Sequence, residues 1–383
     1  MSETVKPQAD VKLPVGDKLI LSSSPHLSSG SSLAKIMGGV LLALLPQVIA
    51  STWIFGFRAL FVIIYTALCC VGAEALWCKI AGKEVWRNIS DCSAVVTGVL
   101  LAMCLPVSVP LYVPPIGAIL AIWLAKQIYG GIGNNPFNPA LVARVGLLIA
   151  LPAAMTLWTP SRGMNSAGYP ALERFYTPDM VEKIKSGSNI DAVSCATPLG
   201  VVGTTEKITD RSEAARKNFA GVNNAQIMKH YLLGDRAGCL GETCVPALLL
   251  GFIILVALNL INWSVPVIFV GTVALLTGAI NLFFPGVTPD PLFHICNGGL
   301  LLGAIFMATD MVTSPITGLG CVIFAIGCGL LTTVIRVWGN YPEGVSFAIL
   351  FMNALVPLID RCFSERPFGY IPKRQKEKNN ETA

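Results

Sequence analysis

The stretch Asp191, Ala192, Val193, Ser194, Cys195, Ala196, Thr197, Pro198, Leu199 holds the residues whose types and spacing most suggest chemistry. A threonine hydroxyl stands six positions after a carboxylate, among small residues. Proline at 198 biases Thr197 away from the α region and toward an extended backbone. The hydroxyl is therefore expected on a loop, presented for modification. An ordinary loop threonine fits the same residues, and spacing alone leaves both readings open.

Two carboxylates lie within apolar segments, where ionisable groups are costly and carry functional hypotheses by default. Glu74 sits near the end of the second apolar segment. It either serves an ion path or reaches the interface and pairs with Lys79. Asp310 follows Thr309 and precedes Thr313, Ser314 and Pro315. It either serves the same path or caps a helix. Arg144, about two turns into its segment, is within snorkelling reach of the surface.

Gly130, Gly131, Gly133, Asn134, Asn135 and Asn138 precede the fifth apolar segment. The glycines permit close backbone approach to a ligand or to a neighbouring helix. The asparagines bring amide donors and acceptors, and Pro139 suits a first helical turn. A tight inter-helix turn and a ligand pocket both fit. Further on, Gly238, Cys239, Leu240, Gly241, Glu242 and Thr243 precede the sixth segment, where Glu242 and Thr243 can cap it or an anion can sit at its start. Cys239 and Cys244 are close enough in sequence for a disulfide on an oxidising side.

The elements that must position these groups are membrane helices. Of 383 residues, 54% are hydrophobic and 13% charged, against about 25% charged in soluble domains. Ten apolar segments emerge: Ile36–Phe55, Ala59–Trp77, Ser93–Val109, Leu111–Ile128, Phe137–Leu157, Val245–Ile261, Val265–Phe284, Ile295–Ala308, Gly318–Val337 and Val345–Ile359. Strand alternation is absent, so helices must satisfy the backbone in lipid. The third and eighth segments stay apolar for only about eleven residues, and either span or merely dip in. Most of the twelve cysteines lie in apolar runs and read as small hydrophobes. The three histidines are scattered, so no metal site is expected. The net charge of +5 reflects lysines placed against a membrane and gives no sign of a nucleic-acid partner.

Lys35, Lys79, Lys83, Arg87, Lys126 and the basic C-terminal residues fall on one side, leaving Arg336 on the other. The positive-inside tendency then places both termini in the cytoplasm. Five domains follow: a flexible tail 1–35, a first five-helix repeat 36–158, an extracytoplasmic loop 159–244, a second repeat 245–360 and a basic tail 361–383. Internal repetition supports the division. Gly98, Val107, Ser108 and Pro110 meet Gly303, Val312, Thr313 and Pro315 at an offset of 205, and Asn134 and Pro136 meet Asn340 and Pro342 at 206. Five spans per half invert the second repeat, an arrangement that puts function between the halves near the midplane. If the third and eighth segments only dip in, the repeat becomes parallel. The expected class is an all-α polytopic membrane protein, with about ten helices in two inverted repeats and a long extracytoplasmic loop. Lipid is then an obligate partner.

Gly130–Ala140, Met155 and Trp158, Asp191 with Thr197, Gly238 with Gly241–Thr243, Ala308–Asp310 and Arg366–Gly369 together resemble the D subunits of Rnf-type complexes. They are similar, less closely, to the B subunits of sodium-pumping NADH:quinone oxidoreductases. The resemblance runs from about residue 36 to 370. It implies FMN joined to Thr197 as a phosphoester, with Asp191, Ser194 and Ala196 read by a flavin transferase. Riboflavin is implied as a second, noncovalent flavin with no position given for it, and Gly131, Gly133, Asn135 and Asn138 are the candidates for a flavin pocket.

The resemblance further implies a subunit of a ferredoxin:NAD oxidoreductase that moves sodium or protons, not catalytic alone. Its other subunits, including an extracytoplasmic FMN-bearing one, would be partners. Glu74 and Asp310 match acidic positions that the family keeps within the membrane and are the candidates for an ion path, and the location would be a bacterial or archaeal inner membrane. Cys195 and Met311 stand where the family usually has glycine and proline. A cofactor-free inverted-repeat transporter or channel is the competing expectation, as is a subunit that merely holds partners.

Overall fold

A computed structural model describes residues 32–166, 178–186, 197–200, 225–284, 288–339 and 343–363, and all regular structure among them is helical. In chain order the helices are α1 (Leu33–Phe55), α2 (Phe57–Ile80), α3 (Val85–Ile89), α4 (Ser93–Met103) and α5 (Val113–Ile119), which runs on into a π-helical stretch, Leu120–Gln127. Then come α6 (Pro139–Ala150), α7 (Pro152–Met155), α8 (Pro178–Lys185), α9 (Ala225–Leu233), α10 (Val245–Ala257) and α11 (Ser264–Phe283). The chain closes with α12 (Pro291–Cys296), α13 (Leu300–Leu302) leading into a second π stretch, Gly303–Met307, then α14 (Gly318–Trp338) and α15 (Val345–Cys362).

Five helices, α1, α2, α11, α14 and α15, are long and apolar enough to cross a bilayer. Their outer faces carry the reason. On α1 the exposed Leu42, Leu45, Ile49 and Trp53 recur every three to four residues, while Ala43, Leu44, Gln47, Ser51 and Ile54 face inward. On α2 the exposed stripe is Phe57, Phe61, Ile64 and Leu68. A continuous apolar stripe at helical spacing suits lipid, with the narrower, small-residue face left for packing.

The other expected spans are shorter. The third segment stops as a helix at Met103 rather than running to Val109, because Pro106 and Pro110 cannot continue it. The eighth is split into α12 and α13 at residues 297–299, where Gly298 and Gly299 take φ of 77° and 65°. Such values are easy only for residues without a Cβ. Both segments that the sequence leaves doubtful are therefore discontinuous.

Packing divides the helices into two groups joined at two seams. In the first, α2 lies along α4 and α5, and α6 packs on the π stretch that follows α5. In the second, α11 packs on α14, and α14 on α15. The seams are α1 against α10 and α6 against α15. At the α1–α10 seam, a Cβ on Gly251 would stand 2.5 Å from the Ala43 carbonyl oxygen. In the first group, a Cβ on Gly98 would stand 2.6 Å from Ala67 Cα. Gly98→Val is expected to force α2 and α4 apart and lose about 1–3 kcal/mol of stability. A thermal unfolding midpoint in detergent equal to the wild type would contradict this close approach.

Candidate functional site

A cavity of about 350 Å³ lies where the two groups of helices face each other. Its wall takes Ile36 and Val40 from α1, Ser93 and Thr97 from α4, and Lys126 from the first π stretch. From the other group come Leu255, Ile305, Phe306, Thr309 and Asp310. Small-molecule sites run from about 300 to 1,000 Å³, mostly apolar with a few placed polar groups, and this cavity fits that description.

Of the four candidate pocket residues, Gly133, Asn135 and Asn138 line the cavity; Gly131 does not. Gly131, with φ of 102°, lies beside Gln127 instead. Asn138 is the N-cap of α6, its Oδ1 accepting from Ala140 N at 3.1 Å, with Pro139 next in the helix. Its Nδ2 donates to Met307 O at 3.3 Å, across to the other group of helices. Asn135 Nδ2 donates to Phe137 O at 3.1 Å, which leaves its own carbonyl oxygen as an acceptor. Asp310 is half-buried on the wall and accepts from Thr313 Oγ1 at 3.3 Å.

Glu74 pairs with Lys126, not with Lys79. Lys126 Nζ donates to Glu74 Oε1 and to Ser93 Oγ, both at 2.6 Å, and Gln127 Nε2 donates to the same Glu74 oxygen at 2.8 Å. Lys126 is 3% exposed, so it is a buried ion-pair partner rather than an interfacial loop charge. The π stretch explains the geometry. Its wider turn brings two consecutive side chains, Lys126 and Gln127, to one carboxylate.

Thr197 is 6% exposed, at the start of a single helical turn over 198–200. It is not held out on an open loop. Its Oγ1 accepts from Gly200 N at 3.1 Å, and Leu199 rests against Gly298, where a Cβ would come within 2.1 Å of the Leu199 side chain. Burial of Leu199 draws the threonine inward with it. Asp191, Ser194 and Ala196 lie outside the described residues.

Beneath Thr197 is a group of buried charges that the sequence did not reveal. A small pocket of about 10 Å³, room for about one water, is lined by Thr197, Arg236, Glu242, Asn297 and Glu343. Arg236 Nη1 donates to Asn297 Oδ1 at 2.8 Å, and its Nη2 donates to Glu242 O. Arg144 pairs with Glu343 and stands 3.6 Å from Glu242 Oε1, so it does not snorkel to a surface. Arg336 donates to the carbonyls of His294 at 2.6 Å and of Asn297 and Gly298 at 2.9 Å each. It serves the broken helix rather than a surface loop. Burial and the Glu242 carboxylate push the Glu343 carboxyl up to about 7, against the pull of Arg144 and Arg336.

Glu242 and Thr243 do not cap α10, since the N-cap is Cys244 and makes no side-chain cap bond. Cys239 and Cys244 are free thiols. Cys239 Sγ donates instead to Cys104 O at 3.0 Å.

Toward the phosphoester implied at Thr197, the surroundings offer one favourable partner, Arg236, beside two carboxylates, Glu242 and Glu343, and a space no larger than about one water. Thr197 Oγ1 acts as an acceptor toward Gly200, a role the oxygen keeps when its proton is exchanged for a phosphoryl group. Guanidinium suits an anionic oxygen, and Arg236 supplies one to the pocket. The pocket admits no flavin ring.

Comparison with known proteins follows the same lines. A model of the NQR2, RnfD, RnfE family matches residues 20–369. The chain belongs to this family. It is 41% identical to the D subunit of the proton-translocating ferredoxin:NAD(+) oxidoreductase complex of Clostridium ljungdahlii, over 91% of this chain and 96% of that one. It is 41% identical to the D subunit of the ion-translocating oxidoreductase complex of Stutzerimonas stutzeri, over 88% and 93%. It is 38% identical to the D subunit of the Na(+)-translocating ferredoxin:NAD(+) oxidoreductase complex of Acetobacterium woodii, over 94% and 98%. With its apolar helices, the family member is a multi-pass membrane protein.

Arg144→Met is expected to strand Glu242 and Glu343 and lose about 3–5 kcal/mol. A melting temperature in detergent within a degree of the wild type would show that Arg144 does not hold the two carboxylates.

Proposed function

We propose that the chain is the D-type membrane subunit of an Rnf-class complex, and that it carries electrons while the complex drives ferredoxin:NAD oxidoreduction coupled to sodium or proton movement. The observation that carries this reading is the cavity, where Asn135, Asn138 and Asp310 come together in a chain similar to Rnf D subunits over 91% of its length. The family's ion and redox roles meet in that one space.

In this reading Thr197 holds FMN as a phosphoester, with Asp191, Ser194 and Ala196 as the signal for a flavin transferase. Riboflavin would be held noncovalently in the cavity, with Asn135, Asn138 and Phe306 among the residues of its wall. The flavins supply one- and two-electron chemistry, while the protein supplies orientation and charge. Asn138 fixes the cavity's two sides by bonding Met307 across it. Asp310 and Glu74 provide the carboxylates of an ion path, with Thr313 orienting Asp310 and Lys126 and Gln127 holding Glu74.

The membrane arrangement belongs to the same proposal. Two inverted five-helix repeats, 36–158 and 245–360, flank an extracytoplasmic loop, 159–244, with both termini in the cytoplasm of a bacterial or archaeal cell. The breaks after Met103 and Met307 fall within one residue of each other at the offset of 205, which supports the repeat. The remaining Rnf subunits, including an extracytoplasmic flavoprotein, are the partners.

Two outcomes are expected. On a denaturing gel, the chain made with a flavin transferase should fluoresce, and Thr197→Val should abolish the signal while the protein stays in the membrane. Fluorescence retained in the variant sinks the attachment site, and a dark wild-type band despite an active transferase returns a cofactor-free transporter to the front. Separately, Asp310→Asn should slow ion-coupled turnover in vesicles at least tenfold with flavin content unchanged. Full transport by this variant would remove Asp310 from the path.

A further inference from the structure

Lys126 belongs to two environments at once. Its ammonium donates to Glu74 and to Ser93, and its side chain also lines the cavity. An ammonium has three N–H donors, so one remains for a group inside the cavity. Glu74 is held through a single oxygen. Its Oε1 takes both Lys126 and Gln127, while Oε2 is buried without a partner among the described residues. The pair is thus incomplete on both sides. The lysine has a proton to give, and the carboxylate has an oxygen able to receive a cation.

We propose that Lys126 is a cation shared between Glu74 and the ligand of the cavity, donating its third N–H to an acceptor atom of that ligand. The inference rests on the cavity being the noncovalent flavin site, in which case the acceptor is a carbonyl oxygen or ring nitrogen on the edge of the flavin that gains negative charge on reduction. Inside a low-dielectric wall, one ammonium cannot fully serve two anions. Negative charge gained by a bound flavin would draw the ammonium inward. Glu74, with its Oε2 unpartnered among the described residues, would be left with buried negative charge that favours uptake of a proton or small cation there.

Sharing predicts non-additive effects, which two independent charges beside the cavity do not give: loss of the lysine must lower the reduced-over-oxidised affinity more when Glu74 is already neutral than when it is charged. Removing the lysine takes counter-charge from the reduced ligand, whereas removing the carboxylate releases the ammonium to it. The two substitutions must act with opposite sign. The test is a redox titration of riboflavin bound to the purified full-length chain. In Lys126→Gln the ratio of affinities for reduced over oxidised riboflavin is expected to fall at least tenfold, about 30 mV for a two-electron couple. In Glu74→Gln the ratio is expected to rise. Shifts of the same sign, or none, overturn the proposal.

Glu74→Gln is also compared with the double variant Glu74→Gln/Lys126→Gln. A larger fall on loss of the lysine is expected there, and a fall no larger than with Glu74 charged overturns sharing. If Lys126→Gln alone does not fold, a fall above tenfold in this second pair is expected, and its absence is equally decisive. A wild-type chain that binds no riboflavin overturns the cavity's assignment and the lysine's role with it. Normal binding with unmoved potentials overturns the lysine's role alone.

Discussion

Every helix broken inside this protein leaves carbonyl groups with no partner on their own helix, and lipid offers none. The structure depends on satisfying them from elsewhere in the chain. Where α4 ends, Met103 O accepts from Gly241 N at 2.8 Å and Leu105 O from Leu240 N at 3.1 Å. Cys104 O accepts from Cys239 Sγ, and Val107 O from Arg58 Nε at 3.1 Å. Where α12 ends, Arg336 takes three carbonyls. Where the second π stretch ends, Asn138 takes Met307. Within the strap 238–241, Gly241 has no room for a side chain, since a Cβ there would stand 2.7 Å from Met103 Cβ. Glycine at 241 follows from that closeness rather than from an anion at a helix start.

These closures place the functional groups. Asn138 can bond Met307 only if α6 faces the second π stretch, and that facing forms the cavity between them. Both π stretches contribute to its wall, Lys126 from one and Ile305 and Phe306 from the other. A π turn is strained relative to an α turn and recurs at functional sites. Here it lets one end of a helix deliver polar side chains to a buried carboxylate while the other end keeps regular packing.

Local features were readable from the sequence because their causes are local. Apolar length marked α1, α2, α11, α14 and α15, prolines marked the end of α4, and an Asn-Pro pair marked the cap of α6. Asp310 stood out as a carboxylate in a short apolar segment and does line the cavity. Distant pairings were not readable. Lys126 is 52 residues from Glu74, and Arg144 is 199 from Glu343. Nothing in helical periodicity says which buried acid meets which buried base, so the nearest lysine in sequence, Lys79, was the natural but wrong partner. The placement of Thr197 is a different case. Proline fixed the backbone preference at 197, but burial of Leu199 against Gly298 decided where the segment rests. Ion choice is subtler still, for relatives 41% and 38% identical to this chain are named for protons and for sodium respectively.

The burial of Thr197 bears on when its hydroxyl can be reached. Its oxygen is enclosed, bonded to Gly200 and covered as Leu199 settles on the broken helix. No second protein can work on a hydroxyl so enclosed. Any enzyme that modifies it must meet the chain before segment 197–200 has docked, or must pull that segment away first. Were Thr197 the attachment site, maturation would have to precede the docking of segment 197–200 or follow its release.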